Sequence, residues 1–276
     1  HDGIDTTFFQ PNPKAHLTLP SLGLDLSHAQ EIITYVARGL EPYRGFPQAM
    51  EAIALIQQRR PHCHAVIVGE DRAAYGKPLP EGQTYKQLML DKLSLDESRL
   101  HFTGRLPYDQ YLQVLQVSSA HIYLTRPFVL SWSMLEAMAT GCALVASNTA
   151  PVREVVRNGH NGLLVDFFSP TAIANLVETV LENHDFAISL RTHARETILQ
   201  QYNLAALLPQ HINWLAAGSA RKRRSATKFK GFVPSRGLKS KSAGRHQPVS
   251  LTVSLTERSV LPTPVRDQKL GSLISG

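Results

Sequence analysis

Short apolar runs alternate with segments of helical apolar spacing along the first 218 residues. The runs predict strands at residues 31–37, 65–68, 100–102, 121–124, 142–147 and 162–165. The helical spacing predicts helices at residues 45–59, 85–93, 108–117, 170–183, 186–200 and 204–216, and one more just before residue 141. Repeated strand-helix units predict an α/β fold with a Rossmann-like, doubly wound parallel sheet covered on both faces. Right-handed crossovers place the loops after the strands on one rim, where such sheets bind ligands.

Residues 124–147 carry the most informative local pattern, a turn that opens a helix and then an apolar strand. Pro127 keeps the preceding residue extended, and Ser131 or Ser133 can cap the helix. Its N-terminus then presents backbone N–H groups and the positive end of the helix dipole, which together bind anions. Glu136 lies off the apolar face of this helix. It is either a ligand-facing carboxylate or an ordinary solvated residue.

Two other loops of the same rim carry basic residues. Arg38 ends the first predicted strand, and Arg44 comes just before the helix that follows it. Gly104 and Arg105 follow the third strand, where the glycine permits close approach of the backbone to a ligand. Guanidinium groups match phosphate oxygens, so two arginines and the helix N-terminus near Ser131 predict a diphosphate site.

The basic charge of the chain lies in its C-terminal tail. Residues 219–276 contain 13 Lys+Arg and 2 Asp+Glu, which gives a net charge of +11. Residues 1–218 contain the remaining 16 Lys+Arg and 20 Asp+Glu, which gives a net charge of −4. The tail is poor in periodic apolar residues, and we expect it to be disordered. Arg221 to Arg224, with Lys228 and Lys230, could bind nucleic acid or anionic lipid. Because nothing in the tail specifies a base-reading module, we favour a solvated or spurious extension and expect no nucleic-acid partner.

Cysteine and histidine usage gives no sign of a disulfide or a metal. Cys63 and Cys142 each lie beside apolar runs, as expected of buried thiols in a reducing compartment. His62, Cys63 and His64 alternate between the two faces of a strand and cannot converge on one ion. The sequence shows no run of transmembrane length and no signal peptide. It begins with His, and we expect it to be a fragment of a longer protein.

Six segments of the chain resemble a known enzyme family in the family's own order. They are HDGIDTTFF, VARGLEPYRGF, VIVGED, LHFTGRLPYDQY, SMLEAMATGCALVAS and NTAPVREVVRNGHNGLLV. Together they are similar to the C-terminal, donor-binding half of a retaining glycosyltransferase of the GT-B fold, in the large family 4 (group 1). The resemblance implies an interdomain linker remnant at 1–27, a nucleotide-sugar-binding Rossmann-like domain at 28–218 and the tail at 219–276. It also implies that the N-terminal domain is missing.

The resemblance assigns roles to particular residues. Arg38 and Arg44 match the basic residues that hold the donor diphosphate, and Glu136 matches a glutamate that accepts hydrogen bonds from the donor ribose. We assign these three to the catalytic centre. Two further groups belong to donor binding: Gly104, Arg105 and Leu106 border the base, and the backbone of Ser131, Trp132 and Ser133 lies against the phosphates. The family works without a bound metal, so we expect no metal and no cofactor.

This sequence departs from the family at two points. Phe128 stands eight residues before Glu136, where the family often has a glutamate that contacts the transferred sugar. Ser131 and Trp132 replace a small turn that contains glycine. We include Phe128 among the donor-binding residues, with the sugar held differently or the choice of donor changed.

The expected function is transfer of a glycosyl group from a nucleotide-sugar with retention of configuration. The acceptor, a glycan or a lipid-linked molecule, would bind through the missing N-terminal domain, and the fragment alone would be inactive. We expect a cytoplasmic location with peripheral contact at the inner membrane face. A non-catalytic nucleotide-binding module is the alternative. An NAD-dependent oxidoreductase is disfavoured because no G-x-G-x-x-G follows the first strand, and a nucleic-acid binder would depend on the tail alone.

Overall fold

The structure is a computed structural model that describes residues 2–127 and 130–228, with side chains described as far as residue 217. The described residues up to Ser225 belong to one structural unit. Phe128 and residues 229–276 lie outside the described residues, and so does the greater part of the predicted tail.

Strands and helices alternate through the described residues. The strands are β1 (Thr18–Leu19), β2 (Leu24–Asp25), β3 (Glu31–Gly39), β4 (Cys63–Glu70), β5 (Leu100–Gly104), β6 (Ala120–Tyr123), β7 (Leu144–Ser147) and β8 (Leu163–Val165). The helices are α1 (Phe46–Arg59), α2 (Tyr85–Lys92), α3 (Tyr108–Gln116), α4 (Trp132–Thr140), α5 (Ala150–Arg153), α6 (Pro170–Glu182), α7 (His184–Gln201) and α8 (Leu204–Lys228).

Within the described residues, six of the strands form one parallel sheet in the order β5-β4-β3-β6-β7-β8. From β3 the chain winds outward through β4 to β5, and from β6 it winds the other way through β7 to β8. The predicted doubly wound α/β fold is thereby confirmed. The strand order reverses between β3 and β6, and a reversal of this kind opens a crevice at the carboxyl ends of the two strands.

Both faces of the sheet are buried. Ile33, Tyr35 and Ile67 lie on one face, in the core that includes α1 and α6. Tyr123 and Leu144 lie on the other face, in the core that includes α4 and α7. Burial on both faces explains why the strands appear in the sequence as nearly continuous apolar runs.

The predicted elements are all present, with differences at their ends. The strands predicted at 31–37 and 65–68 extend to Gly39 and over Cys63–Glu70. Helix α8 continues to Lys228 instead of ending at 216, so the first residues of the predicted disordered tail are helical. Ala, Lys and Arg are strong helix formers and let the helix continue through this segment. The pattern missed β1, β2 and α5, which are too short to show a period.

The N-terminal segment packs on the domain. Leu17, Leu19 and Leu26 are buried in a small core beside β4. The Arg195 guanidinium donates to the carbonyl oxygens of Thr6 and Phe9 at 3.1 and 2.6 Å, and also to that of Ala139. The boundary at residue 27 and the linker role stay predictions. Among the described helices, none combines the length and apolar character needed to cross a membrane.

Candidate functional site

A cleft of about 780 Å³ opens at the crevice between β3 and β6. The predicted site residues that line it are Arg38, Arg44, Arg105, Leu106, Ser131, Trp132, Ser133 and Glu136. Gly104 directly precedes Arg105 in the chain but does not itself line the cleft. Phe128 lies outside the described residues. The structure thus brings together residues that the sequence spreads over about a hundred positions.

Arg44 is fixed at the cleft by its turn and by its side chain. It ends the 3-10 turn Pro42–Arg44, which is closed by Gly45 in the left-handed region at φ 67°. The residue is 7% exposed, and its Nη1 donates to Thr125 Oγ1 at 2.8 Å. The Tyr35 hydroxyl donates to the Arg44 carbonyl oxygen at 2.8 Å. This guanidinium is therefore held in place before any anion binds, which lowers the entropy cost of binding.

Arg38 is the more exposed of the two arginines and lies near the end of β3, where the pairing with β4 is shifted. Tyr75 lines the same cleft as both arginines, and the centre of its ring lies 5.0 Å from the Arg44 guanidinium carbon. Burial raises the pKa of the Tyr75 phenol, but hydrogen bonds to Arg38 and Arg44 outweigh it and lower that pKa overall. The two guanidiniums form a positive patch that can hold a diphosphate.

Glu136 faces the cleft from α4 and is 6% exposed. The structure therefore excludes the alternative of a solvated residue. The buried Tyr111 hydroxyl donates to Glu136 Oε2 at 2.8 Å. Burial raises the pKa of the Glu136 carboxyl, and the bond from Tyr111 partly offsets this effect. The carboxylate can accept hydrogen bonds from hydroxyl groups of a ligand in the cleft.

Ser131 is the N-cap of α4 and shapes the turn at the cleft wall. Its Oγ accepts a bond from the Ser133 N–H at 3.3 Å, and its own N–H donates to the Tyr123 hydroxyl at 2.9 Å. The prediction that the cap leaves these N–H groups pointing outwards is wrong for both, because each already has a partner. Trp132 is mostly exposed, and its Nε1 donates to Asp2 Oδ2 at 3.0 Å. The positive end of the dipole of α4 still favours an anion at this turn.

Gly104 has a φ of 67°, and a Cβ built there would meet nothing within 4 Å. Glycine is favoured here by the positive φ of the backbone, since within the described structure no neighbouring atom would clash with a Cβ. Its positive φ turns the chain after β5 so that Arg105 and Leu106 line the cleft.

Sequence reasoning missed several residues of the site. Tyr75, Tyr108 and Tyr111 line the cleft, and Glu41 holds the loop that carries Tyr75. Aromatic residues have no position-specific signal on a rim, so these tyrosines could not be separated from core tyrosines. Glu41 could have been noticed as a carboxylate between Arg38 and Arg44.

The described residues contain no group of three or more His, Cys, Asp or Glu side chains that could hold a metal ion. The His64 imidazole stacks on that of His101, with Nδ1 and Nε2 3.0 Å apart. Cys63 is buried in the core on the opposite face of the sheet. The expectation of a metal-free reaction stays a prediction.

Known proteins match this chain in sequence and fold. The family described as Glycosyl transferases group 1 matches residues 24–197. D-inositol 3-phosphate glycosyltransferase of Corynebacterium glutamicum is 27% identical over 200 residues, which cover 70% of this chain and 45% of the relative. The chain spans about half or less of the length of the curated relatives it matches.

Two solved structures show the fold. The C-terminal domain of a glycosyl transferase group 1 family protein (LpcC) from Francisella tularensis has a TM-score of 0.62 at 18% identity, and the match covers 73% of this chain and 100% of that domain. Anabaena Alr3699/HepE, in complex with UDP-glucose, has a TM-score of 0.65 at 23% identity, over 78% of this chain and 56% of that one. The α/β domain seen in GT-B glycosyltransferases is thereby confirmed as the fold. On the family match over most of its length, this chain belongs to the glycosyl transferases group 1 family.

Proposed function

We propose that the protein containing this chain transfers a sugar from a nucleotide-sugar to an acceptor with retention of configuration, as a family 4 enzyme. This chain supplies the donor-binding half. The observation that carries the proposal is the meeting of Arg38, Arg44 and Glu136 in one cleft at the point where the strand order reverses. Crevices at this position in α/β sheets bind nucleotides.

Each part of the cleft suits a part of such a donor. Arg38 and Arg44 bind the diphosphate and stabilise the charge that develops on it as the sugar leaves. Glu136 accepts hydrogen bonds from the ribose hydroxyls, and the loop at Arg105 and Leu106 borders the base. Because two guanidiniums supply the positive charge, we propose that no metal and no cofactor takes part. The relative with the UDP-glucose complex supports a nucleotide-sugar as donor.

The acceptor side belongs to the remainder of the parent protein. The match covers 27% and 45% of the length of two of the relatives, and we propose that the length outside the match includes an N-terminal domain that binds a glycan or lipid-linked acceptor. We propose a cytoplasmic protein with peripheral contact at the inner membrane face. The chain alone should bind the donor and turn over little or nothing.

Calorimetric titration with UDP-, GDP- and ADP-sugars tests the donor site. The wild-type chain should bind at least one of them, and Arg38→Ala should weaken that binding about tenfold or more, since hydrogen bonds to charged groups contribute about 1.5–3 kcal/mol. Arg157→Ala removes the same charge from an exposed position outside the cleft and should leave the affinity unchanged. Absence of binding to all three donor classes would contradict the proposal. Efficient sugar transfer by this chain alone would contradict its incompleteness.

A non-catalytic nucleotide-binding module is the second candidate. The observation in its favour is Phe128, which stands where the family often has a sugar-contacting glutamate. A full-length parent that binds a nucleotide-sugar yet neither transfers nor hydrolyses the sugar would favour the module. A full-length parent that transfers the sugar and loses this transfer on Glu136→Ala would favour the enzyme.

A further inference from the structure

The loop between β4 and α2 brings Tyr75 to the donor cleft. Its anchor is Glu41, whose side chain is 0% exposed. The Glu41 carboxylate accepts the Tyr75 N–H at 2.9 Å (Oε1) and 3.2 Å (Oε2), and the Gly76 N–H at 2.6 Å (Oε2). Burial of a carboxylate is unfavourable unless donors replace its hydration, and here backbone groups of one short segment do so.

Glu41 also holds the turn that carries Arg44. Its backbone oxygen accepts the N–H groups of Arg44 and Phe46, both at 3.2 Å. A Cβ at Gly76 would lie 2.9 Å from Glu41 Oε2, so a larger residue at that position would displace the carboxylate or the loop. One residue therefore fixes the Arg44 turn through its main chain and the Tyr75 loop through its side chain.

The position of Tyr75 matters because of what surrounds its hydroxyl. The ring packs against the Arg44 guanidinium at 5.0 Å and lines the cleft together with Arg38, and both guanidiniums act to lower the pKa of its hydroxyl. A phenol O–H can donate to a phosphate oxygen while its own oxygen still accepts from a guanidinium. It adds a donor to the patch without adding a third positive charge.

We propose that Tyr75 is a further ligand of the diphosphate that Arg38 and Arg44 hold, and that Glu41 is the positioning residue that keeps Tyr75 there. The assignment rests on the proposed function, since it presupposes that the cleft takes a nucleoside diphosphate. It goes beyond that function by adding a third diphosphate ligand and the buried group that orients it.

The first test compares diphosphates with monophosphates. UDP, GDP and ADP, and then UMP, GMP and AMP, are titrated calorimetrically into the wild-type chain and Tyr75→Phe. For the diphosphate that the wild type binds, the variant should lose about tenfold in affinity, as expected for one hydrogen bond to a charged group, while the matching monophosphate should lose clearly less. Tyr43→Phe removes a nearby exposed hydroxyl that is not part of the cleft lining and should leave both affinities unchanged.

The second test addresses Glu41. In Glu41→Gln the amide NH₂ would face backbone N–H donors, so hydrogen exchange measured by mass spectrometry should speed up in the peptide covering residues 71–84. The diphosphate affinity should fall about as far as in Tyr75→Phe. The double variant should lose no more than either single one, because both changes remove the same contact.

The outcomes of these tests distinguish a failure of the proposed function from a failure of the roles of Tyr75 and Glu41. A wild-type chain that binds none of the diphosphates refutes the proposed function and the Tyr75 assignment with it. Wild-type binding with an unchanged ratio of diphosphate to monophosphate affinity in Tyr75→Phe refutes the Tyr75 assignment alone. Additive losses in the double variant, or unchanged exchange in Glu41→Gln, refute the role of Glu41.

Discussion

Replacing Tyr111 by Phe should move the pH dependence of donor binding. The Tyr111 hydroxyl is buried and donates to Glu136 Oε2 at 2.8 Å, and phenylalanine keeps the ring while removing that donor. Burial raises the pKa of the Glu136 carboxyl, and the Tyr111 bond opposes the rise. Without the bond, the pKa should rise further.

The magnitude follows from the kind of bond. A hydrogen bond to a charged group contributes about 1.5–3 kcal/mol, and this one stabilises the ionised carboxyl. Its loss in Tyr111→Phe should therefore raise the Glu136 pKa further. Under the proposed function, ionised Glu136 accepts hydrogen bonds from a ribose and the protonated form accepts fewer, so the fall in nucleotide affinity on acidification should begin at a higher pH in this variant.

The assay is calorimetric affinity for the bound nucleotide between about pH 4 and pH 9, a span that begins near the ordinary carboxyl pKa and extends above it. Glu136→Gln is the matched comparison, because it keeps the shape and cannot titrate. Its nucleotide affinity should show no pH-dependent change caused by residue 136, whether or not Tyr111→Phe is also present. If the affinity of Tyr111→Phe falls on acidification at the same pH as that of the wild type, the predicted effect of the Tyr111 bond is refuted.

The raised pKa of Glu136 should also make the free energy of unfolding depend on pH. A folded-state pKa of Glu136 above its unfolded value means that the folded chain binds more protons between the two values. Stability is therefore lost as the pH rises through that interval. Tyr111→Phe should enlarge the loss, which thermal melting on both sides of the interval can measure.

Three further outcomes are expected. Gly45→Ala should lower the free energy of unfolding by about 1–3 kcal/mol, because φ is 67° and a Cβ would lie 2.5 Å from that of Leu124; an unchanged urea midpoint would count against this. Burial raises the pKa of the Cys63 and Cys142 thiols to about 12, so both should react with a thiol reagent only after unfolding, and labelling of the folded chain would contradict the burial. Although burial raises the pKa of Tyr75, two guanidiniums lower it overall, so Tyr75→Phe should remove an early phenolate step from the alkaline absorbance titration, and an unchanged curve would contradict the pairing.

Secondary structure could be predicted where an element is long enough for its apolar residues to show a helical or strand-like periodicity. The helix ended by Gly141 and the strand after it are both present, with Gly141 in the left-handed region at φ 79°. The cleft could be located because Arg38 and Arg44 flank a strand end, a place where parallel sheets bind ligands. Strand pairs of two residues, such as β1 and β2, give no period and were missed.

The partners of the site residues could not be predicted, because their contacts are distant in sequence. Glu41 and Tyr75 are separated by 34 positions, and Tyr111 and Glu136 by 25. Which tyrosine reaches which carboxylate depends on the loop path and the packing of α3 against α4. Neither follows from local spacing.

Two buried carboxylates border the same cleft, and their hydrogen bonds separate their roles. Glu41 accepts two backbone N–H groups across both of its oxygens and lies wholly inside the protein, so its acceptor capacity is used by the fold. In the described part of the chain, Glu136 accepts one side-chain bond, at Oε2, and faces the cleft. A buried carboxylate with unused acceptor capacity is unfavourable by itself, and a ligand that offers hydroxyl groups relieves that cost. The geometry therefore indicates a structural role for Glu41 and leaves Glu136 able to accept hydrogen bonds from a ligand, although the sequence places the first between two arginines and the second in the middle of a helix.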